Sequence, residues 1–270
     1  MLLQLIDQKI RRAFSNAAQQ YDVLASLHKE IGRELLEKIK DFKNPLKILD
    51  VGMGTGYLTN KLVHYFPEAE VFGLDFAPGM VEQAKKNSEG FTVVEADASS
   101  LPFPGNTFDL IISNLMYQWI SDLPQAFASA HSVLKPKGLF YLTMFGRDTF
   151  QELFESLKET SEIPRYARKG SSPTFPLSIR RLAAQSEVQR AFSETGFKDI
   201  EFNSEQIKVH FPSMKDLLKW IKDIGANYLE KDIFIGKEWL SRADDYYSKN
   251  FGDKFGIYAT FQVIWAEARK

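Results

Sequence analysis

The sequence predicts an α/β fold built on a doubly wound, mostly parallel sheet. Strand and helix patterns alternate from residue 46 to about residue 146, which is typical of a parallel sheet covered by helices on both faces. Apolar runs such as Leu110–Ile112 fit strands that are buried on both sides. A glycine-rich loop directly after the first strand predicts a ligand site at the carboxyl edge of this sheet.

Five strands and three helices are predicted in this alternating part. The strands are Lys47–Val51, Glu70–Asp75, Phe91–Ala96, Phe108–Ser113 and Leu139–Phe145. The helices are Thr55–Phe66, Pro78–Asn87 and Leu123–Leu134. The segment Lys135–Gly138 contains Pro136 and ends in glycine, which predicts a turn before the fifth strand.

The flanking segments are predicted to complete the sheet and to cover its edge. Residues 7–40 have a helical pattern, and residues 147–195 are helical, loopy and basic. Two late strands, Phe197–His210 and Ile257–Arg269, enclose two helices, Lys215–Ile224 and Gly236–Lys249, which predict a helical lid. We expect a single domain made of a covering segment 1–45, a binding core 46–146 and a C-terminal half 147–270, with lid insertions at about 147–195 and 213–250.

Composition excludes several classes of function. Of the 270 residues, 44% are hydrophobic and 26% are charged, and the net charge of -1 favours neither nucleic acid nor a membrane as partner. The chain has no cysteine, which excludes disulfides, thiolate metal sites and cysteine nucleophiles. No segment has the length and apolar character of a signal peptide or a membrane span. We therefore expect a cytoplasmic monomer without a metal.

The glycine loop predicts the cofactor. Gly52 and Gly54 fit the dinucleotide pattern G-x-G-x-x-G, but the third glycine, Gly56, comes one residue early. Asp50 lies two residues before the first glycine. The loop therefore resembles D-x-G-x-G-x-G, the first motif of class I S-adenosylmethionine-dependent methyltransferases, which implies a Rossmann-like, seven-stranded sheet whose last strand is antiparallel.

Polar residues follow the next three strands in turn. Asp75 ends the second strand, where its carboxylate can accept both ribose hydroxyls, and Asn114 ends the fourth. The resemblance implies that Asp97, after the third strand, takes the adenine amino group and that the backbone of Ala98 meets the ring. The full set of predicted cofactor-binding residues is Tyr21, Asp50, Gly52, Met53, Gly54, Gly56, Asp75, Phe76, Met80, Asp97, Ala98 and Asn114.

The flanking motifs predict the methyl acceptor. They are F-x-x-A-A-x-x-Y-D in Phe14–Asp22, S-N-L-x-x-Q-W in Ser113–Trp119, I-G-A-N in Ile224–Asn227, and the segments Leu134–Gly138 and Thr260–Ala266. Together they resemble the malonyl-acyl-carrier-protein O-methyltransferase family of biotin synthesis, nearly from end to end. Met53 stands where that family often has cysteine.

The resemblance implies methyl transfer from S-adenosylmethionine to the free carboxylate of a malonyl thioester. That carboxylate is already ionised near neutral pH, so no general base is needed. We expect Tyr21, Gln118 and Arg147 to be the catalytic residues. In the family, the counterpart of Tyr21 covers the methionine end of the cofactor, and Gln118 lies on the methyl-transfer face. Cations that could orient the acceptor carboxylate are Arg147, Arg11, Arg12 and Arg180.

The acyl carrier protein implied by the resemblance is acidic, which calls for a basic docking surface. The candidates are Arg165, Arg168, Lys169, Arg180 and Arg181. Three alternatives stay open on sequence grounds. They are a carboxyl methyltransferase of a small, aconitate-like free acid, a nicotinamide or flavin oxidoreductase of Rossmann type, and a binding or scaffold protein that keeps the fold.

Overall fold

One sheet organises the chain. The computed structural model describes residues 2–160, 182–226 and 237–270. Its strands are β1 (Lys47–Val51), β2 (Glu70–Asp75), β3 (Thr92–Glu95), β4 (Phe108–Asn114), β5 (Leu134–Phe145), β6 (Lys198–Phe211), β7 (Gly252–Asp253) and β8 (Gly256–Arg269). They are ordered β3-β2-β1-β4-β5-β8-β6, and β7 pairs with β8. Neighbouring strands from β3 to β5 are parallel, whereas β8 is antiparallel to both β5 and β6. The predicted mixed sheet with an antiparallel last strand is confirmed.

Helices lie on both faces of this sheet. In the described residues they are α1 (Leu2–Leu24), α2 (Ser26–Ile39), α3 (Tyr57–Tyr65), α4 (Pro78–Asn87), α5 (Leu123–Val133), α6 (Gln151–Glu159), α7 (Gln185–Ser193), α8 (Met214–Asp223) and α9 (Lys237–Phe251). A short 3₁₀ turn, Tyr117–Trp119, follows β4. The side chains of residues 2–6 and 237 are not described. None of the described helices is long and apolar enough to span a membrane.

The alternation of side chains along the central strands produces two apolar cores. Ile48, Leu110 and Ile112 face a core shared with α2, α3, α6, α8 and α9. Leu49 and Ile111 face the opposite core, which α5 and α7 complete. Because successive residues of a strand point to opposite faces, the uninterrupted apolar runs seen in the sequence fill both cores.

One predicted element boundary is wrong, and the predicted N-terminal helical segment consists of two helices. The segment Lys135–Gly138 is not a turn before the strand, because β5 already starts at Leu134 and pairs with β4 there. Lys137, with φ 67°, and a register shift between Phe108 and Leu110 accommodate the extra residues within the ladder. The N-terminal helical segment is divided into α1 and α2 at Ala25, which is buried and leaves the helical conformation.

Helix α1 crosses the carboxyl edge of the sheet and is held there by two contacts. A small apolar cluster of Ala18, Ala77 and Met80 joins α1 to the start of α4, with Phe14, Tyr21 and Phe76 packed around it. Gly79 of α4 lies so close to α1 that a Cβ atom would be 2.3 Å from the Ser15 carbonyl oxygen. At the other end of α1, Trp220 of α8 donates a hydrogen bond to the Leu24 carbonyl at 3.1 Å.

Candidate active site

A cavity of ≈ 400 Å³, here called the large cavity, lies between α1 and the carboxyl ends of β1 to β4. The predicted residues that line it come from α1, the glycine loop, the ends of β2 and β4, and the segment after β3. They are Tyr21, Gly52, Gly54, Asp75, Phe76, Met80, Asp97, Ala98 and Asn114. Sequence positions up to 93 residues apart are thus brought to one edge, because parallel strands all end on the same side.

The glycine loop is pressed between β2 and the segment after β4. Gly52, Gly54 and Gly56 have φ values of 83°, 55° and 88°, a region that favours glycine. A Cβ atom on Gly52 would lie 2.3 Å from Met116 Cγ, and one on Gly56 would lie 2.7 Å from Phe91 Cζ. Gly52 and Gly54 line the large cavity. Gly56 does not, because it lies at the start of α3 and packs against Phe91.

Asp75 connects the loop to the end of β2. Its Oδ2 accepts a hydrogen bond from the Gly54 amide at 3.0 Å, and its Oδ1 accepts one from the Ala77 amide at 2.9 Å. Burial raises the pKa of Asp75 to about 6, although these two amides oppose that rise. Asp97 is exposed at the far end of the cavity, where it accepts a hydrogen bond from the Ser99 amide at 2.8 Å. Two carboxylates therefore face one space.

Asp50 lies in a second, small cavity of ≈ 50 Å³. Its Oδ2 accepts a hydrogen bond from the Thr59 hydroxyl at 2.7 Å, and burial raises its pKa to about 7. Met53 also lines the small cavity, together with an ion pair in which Lys29 Nζ lies 3.0 Å from Asp22 Oδ1. The small cavity thus holds groups of both charge signs beside the glycine loop and the start of α3.

Tyr21 and Asn114 stand where the two cavities meet, and both line each of them. Asn114 donates to the His28 carbonyl at 2.9 Å and accepts from the Thr143 hydroxyl at 2.8 Å, which fixes the start of α2 against β4 and β5. Burial, with further contributions from Asp75 and Asp22, raises the pKa of Tyr21, so its phenol stays protonated at neutral pH. The paired cavities could hold a nucleoside in the larger part and a zwitterionic amino-acid group in the smaller.

A third space, here called the aromatic pocket, measures ≈ 40 Å³ and lies under α8. It is lined by His28, Gln118, Trp119, Phe145, Thr149, Phe150, Leu182, Trp220, Ile221, Ile224, Ala226 and Phe261. Trp119 also lines the large cavity, and His28 also lines the small one. The aromatic pocket therefore lies next to the large and small cavities, near the place where Tyr21 and Asn114 line both of them.

Two predicted catalytic residues take structural contacts instead of facing the large cavity. Gln118 donates to the Leu115 carbonyl at 2.7 Å and accepts from the Phe145 amide at 3.4 Å, so its amide joins the ends of β4 and β5. Arg147 lies 2.9 Å from Glu187 of α7 and does not line any of the three spaces. The expectation that Arg147 holds a carboxylate is therefore not supported by its position.

The other candidate cations are also accounted for. Arg11 donates to the Phe76 carbonyl at 2.8 Å and pairs with Glu95 at 2.5 Å, beyond the Asp97 end of the large cavity. Arg12 is exposed on α1. The candidates on the proposed docking surface, Arg165, Arg168, Lys169, Arg180 and Arg181, lie outside the described residues, as does Asn227.

Three site residues are absent from the sequence prediction. Thr59, which donates to Asp50, lies in the first turn of α3, nine residues after Asp50, where its hydroxyl reaches the end of β1. His28 and Lys29 lie after the break at Ala25, and no local motif indicates that break. Among residues 2–160, 182–226 and 237–270, no group of three or more His, Cys, Asp or Glu side chains is placed to hold a metal.

Comparison with known proteins identifies relatives. A family model described as "Methyltransferase domain" matches residues 49–142. The malonyl-acyl-carrier-protein O-methyltransferase of Geobacter sulfurreducens is 32% identical, over 98% of this chain and 100% of its own length. The mitochondrial arginine-hydroxylase NDUFAF5 of Rattus norvegicus is 30% identical, over 97% of this chain and 76% of its own length.

Solved structures show the same fold. The YcgJ protein of Bacillus subtilis aligns with a TM-score of 0.59 at 20% identity, covering 88% of this chain and 98% of that one. Phosphoethanolamine N-methyltransferase 2 of Haemonchus contortus, in complex with S-adenosyl-L-methionine, aligns with a TM-score of 0.59 at 19% identity, covering 95% of this chain and 57% of that one. These likenesses establish the class of sheet independently of sequence motifs.

Proposed function

The chain belongs to the malonyl-acyl-carrier-protein O-methyltransferase family, and from this premise we propose that it methylates the free carboxylate of malonyl-acyl-carrier protein at the start of biotin synthesis. S-Adenosylmethionine is the cofactor. The observation that carries the proposal is the length of the match to the Geobacter sulfurreducens protein, since it includes 98% of this chain. The match therefore includes α1 and α8, on the acceptor side, as well as the strands that bind the cofactor.

The paired cavities fit S-adenosylmethionine. We assign its nucleoside to the large cavity, with Asp75 as acceptor for the ribose hydroxyls and Asp97 at the adenine end. We assign its amino-acid end to the small cavity, where Asp50 suits an ammonium group and the first amides of α3, which have no partner within the helix, suit a carboxylate. When bound, this cofactor supplies an electrophilic methyl group on a sulfonium.

Three residues that line the large cavity, Tyr21, Phe14 and Trp119, support methyl transfer to an acceptor that is already ionised. A carboxylate oxygen needs no base, and the Tyr21 phenol is kept protonated by its surroundings. Phe14 and Trp119 pack edge to face, with ring centroids 5.2 Å apart, and both line the large cavity, so two apolar rings form part of its wall. Because an anion and a cation neutralise each other as the methyl transfers, a site with little water favours the transition state over the separated charges.

The outer face of α8 supports an acidic partner. Lys215, Lys219 and Lys222 are exposed and spaced so that they share one side of the helix, opposite the buried Met214 and Leu217. The inner face of the same helix lines the aromatic pocket. We propose that the carrier protein docks on these three lysines, which would place its acyl arm next to the pocket.

The proposal is tested with methyl-labelled S-adenosylmethionine and four acceptors: malonyl-acyl-carrier protein, malonyl-coenzyme A, free malonate and aconitate. We expect a labelled methyl ester on the malonyl thioesters, formed faster on the carrier protein than on coenzyme A, and little label on the free acids. An Asp75→Asn variant is the control for dependence on the cofactor site.

Other results would contradict the proposal. Equal labelling of free malonate or aconitate would indicate a small-acid methyltransferase. Binding of NADH in place of S-adenosylhomocysteine would indicate an oxidoreductase. Incorporation of oxygen into an arginine-containing peptide, with no methyl ester, would indicate the reaction named for the rat relative.

A further inference from the structure

His28 lies at the junction of four elements. It belongs to α2, and its ring is surrounded by Tyr21 of α1, Phe145 at the end of β5 and Trp220 of α8. The ring centroids are 5.9, 5.7 and 6.3 Å from that of His28, respectively. An imidazole packed between three aromatic rings has its orientation fixed, because any rotation of the ring would meet a neighbouring ring.

The same side chain lies between two cavities. His28 lines the small cavity, which receives the amino-acid end of the cofactor in the proposed function, and it also lines the aromatic pocket. Its Nδ1 is buried and has no hydrogen-bond partner among the described residues. A buried polar atom without a partner costs about 1–3 kcal/mol, so a ligand that supplies the partner gains affinity.

Three other polar side chains of the aromatic pocket are already engaged by the backbone. Gln118 bonds to the Leu115 carbonyl, Thr149 Oγ1 accepts from the Gln262 amide at 3.1 Å, and Trp220 donates to the Leu24 carbonyl. Among the described residues that line this pocket there is no lysine or arginine. His28 Nδ1 is therefore a buried ring nitrogen of this lining that has no protein partner among the described residues.

A neutral donor suits the chemistry of methyl transfer better than a cation would. Burial lowers the pKa of His28 to about 4, so its imidazole is uncharged at neutral pH. The acceptor carboxylate loses its negative charge as the new O–C bond forms, while the S–C bond to the methyl group would break and S-adenosylhomocysteine would be the leaving group. A cation would stabilise the ground-state carboxylate more than the transition state, and this difference would raise the barrier.

We propose that the aromatic pocket receives the acyl end of the acceptor and that His28 donates a hydrogen bond to its carboxylate, holding one oxygen toward the large cavity. This inference rests on the proposed function, because it assumes an acceptor with a free carboxylate. It assigns to His28 the role that sequence analysis gave to an arginine. The bond leaves the second carboxylate oxygen as the nucleophile, and no proton moves.

The test compares His28→Phe, His28→Gln and a matched control, His131→Phe, in the full chain. His131 also packs edge to face on a phenylalanine ring, at 5.0 Å, but it lies on α5, outside all three cavities. The measurements are the dissociation constant for S-adenosylhomocysteine, the melting temperature, and kcat and KM for malonyl-acyl-carrier protein. The kinetic constants separate acceptor handling from cofactor binding.

We expect His28→Phe to lower kcat/KM by about tenfold or more, with cofactor affinity unchanged. Its melting temperature should be equal or higher, because an apolar ring replaces a buried nitrogen without a partner. His28→Gln should recover part of the loss, because its amide can donate, and His131→Phe should keep the wild-type kinetics.

Three results would overturn the inference. If His28→Phe has wild-type kinetics, His28 serves only for packing. If cofactor affinity and kcat/KM fall together, His28 belongs to the cofactor end. If the wild-type chain binds S-adenosylhomocysteine but methylates no malonyl thioester, the proposed function fails and the inference with it, an outcome that the wild-type assay alone identifies.

Discussion

The carboxylate of Asp75 has two roles at the scale of a single residue. It holds the glycine loop through the Gly54 amide and the start of α4 through the Ala77 amide, and it faces the large cavity. A carboxylate has enough lone pairs to keep both amides and still accept from a ligand, whereas an asparagine has one acceptor oxygen. The same atoms thus shape the site and are available to the cofactor.

Asp75→Asn is therefore expected to weaken S-adenosylhomocysteine binding by about 10- to 100-fold, because a charged hydrogen-bond acceptor is lost. Isothermal titration calorimetry measures this change. Asp245→Asn, an exposed change of the same kind on α9, provides the control and should bind as the wild type does. Equal binding by Asp75→Asn would show that the ribose is held elsewhere.

The raised pKa of Asp50, about 7, predicts how cofactor affinity depends on pH. Above that pH the Asp50 carboxyl is ionised and attracts the ammonium and sulfonium groups of the cofactor. Below that pH the carboxyl is protonated and must lose its proton before it can attract them. The affinity for S-adenosylmethionine should therefore fall as pH decreases, by about tenfold at one pH unit below the pKa. Asp50→Asn should give a flatter profile, and an unchanged slope in that variant would exclude Asp50 as the source.

At the scale of elements, the placement of α1 decides whether the large cavity is closed. The helix rests on α4 where Gly79 leaves room for the Ser15 carbonyl, and Phe14 and Tyr21 then cover the cofactor-binding loops. The sheet itself does not depend on this contact, since α1 lies outside the two main cores. Cofactor affinity and sheet stability should therefore respond separately to a change at this contact.

Gly79→Ala should displace α1 by steric conflict, although alanine is the better helix former, because a Cβ atom would lie 2.3 Å from a backbone oxygen. We expect faster proteolysis within α1 and a loss of cofactor affinity of about 5- to 150-fold, which corresponds to about 1–3 kcal/mol of overpacking. Gly105→Ala is the control, because its Cβ atom would lie 3.4 Å from the Ser132 oxygen, an ordinary contact. Identical behaviour of the two variants would contradict this account of α1.

At the scale of the whole molecule, the three lysines of α8 matter because the net charge is only -1. An acidic partner would then be steered by a local surface and not by the overall charge. Lys215, Lys219 and Lys222 are on α8, and other residues of α8 line the aromatic pocket. A carrier protein bound to these lysines would therefore lie next to the pocket proposed for its acyl group.

Reversing the three charges, in Lys215→Glu, Lys219→Glu and Lys222→Glu together, should raise KM for malonyl-acyl-carrier protein by about tenfold or more at low salt, and less at high salt. KM for malonyl-coenzyme A should change much less, because that substrate has no protein surface to dock. Reversal of the exposed Lys38, Lys40 and Lys43 near the end of α2 is the control. An equal rise for both substrates would place the effect in the pocket and not in docking.

Local patterns in the sequence predict the sheet, the cofactor class and the family: apolar runs, the spacing of three glycines, an acid after each of the first three strands, and the flanking motifs. Which side chains line the aromatic pocket depends instead on how the helices pack over the sheet. In the folded chain, Gln118 bonds to backbone groups and Arg147 pairs with Glu187. His28 lies beside Tyr21 and Trp220. The contacts of His28 are made by residues up to 192 positions away in the sequence, on α1, β5 and α8, and no local pattern specifies how these elements pack together.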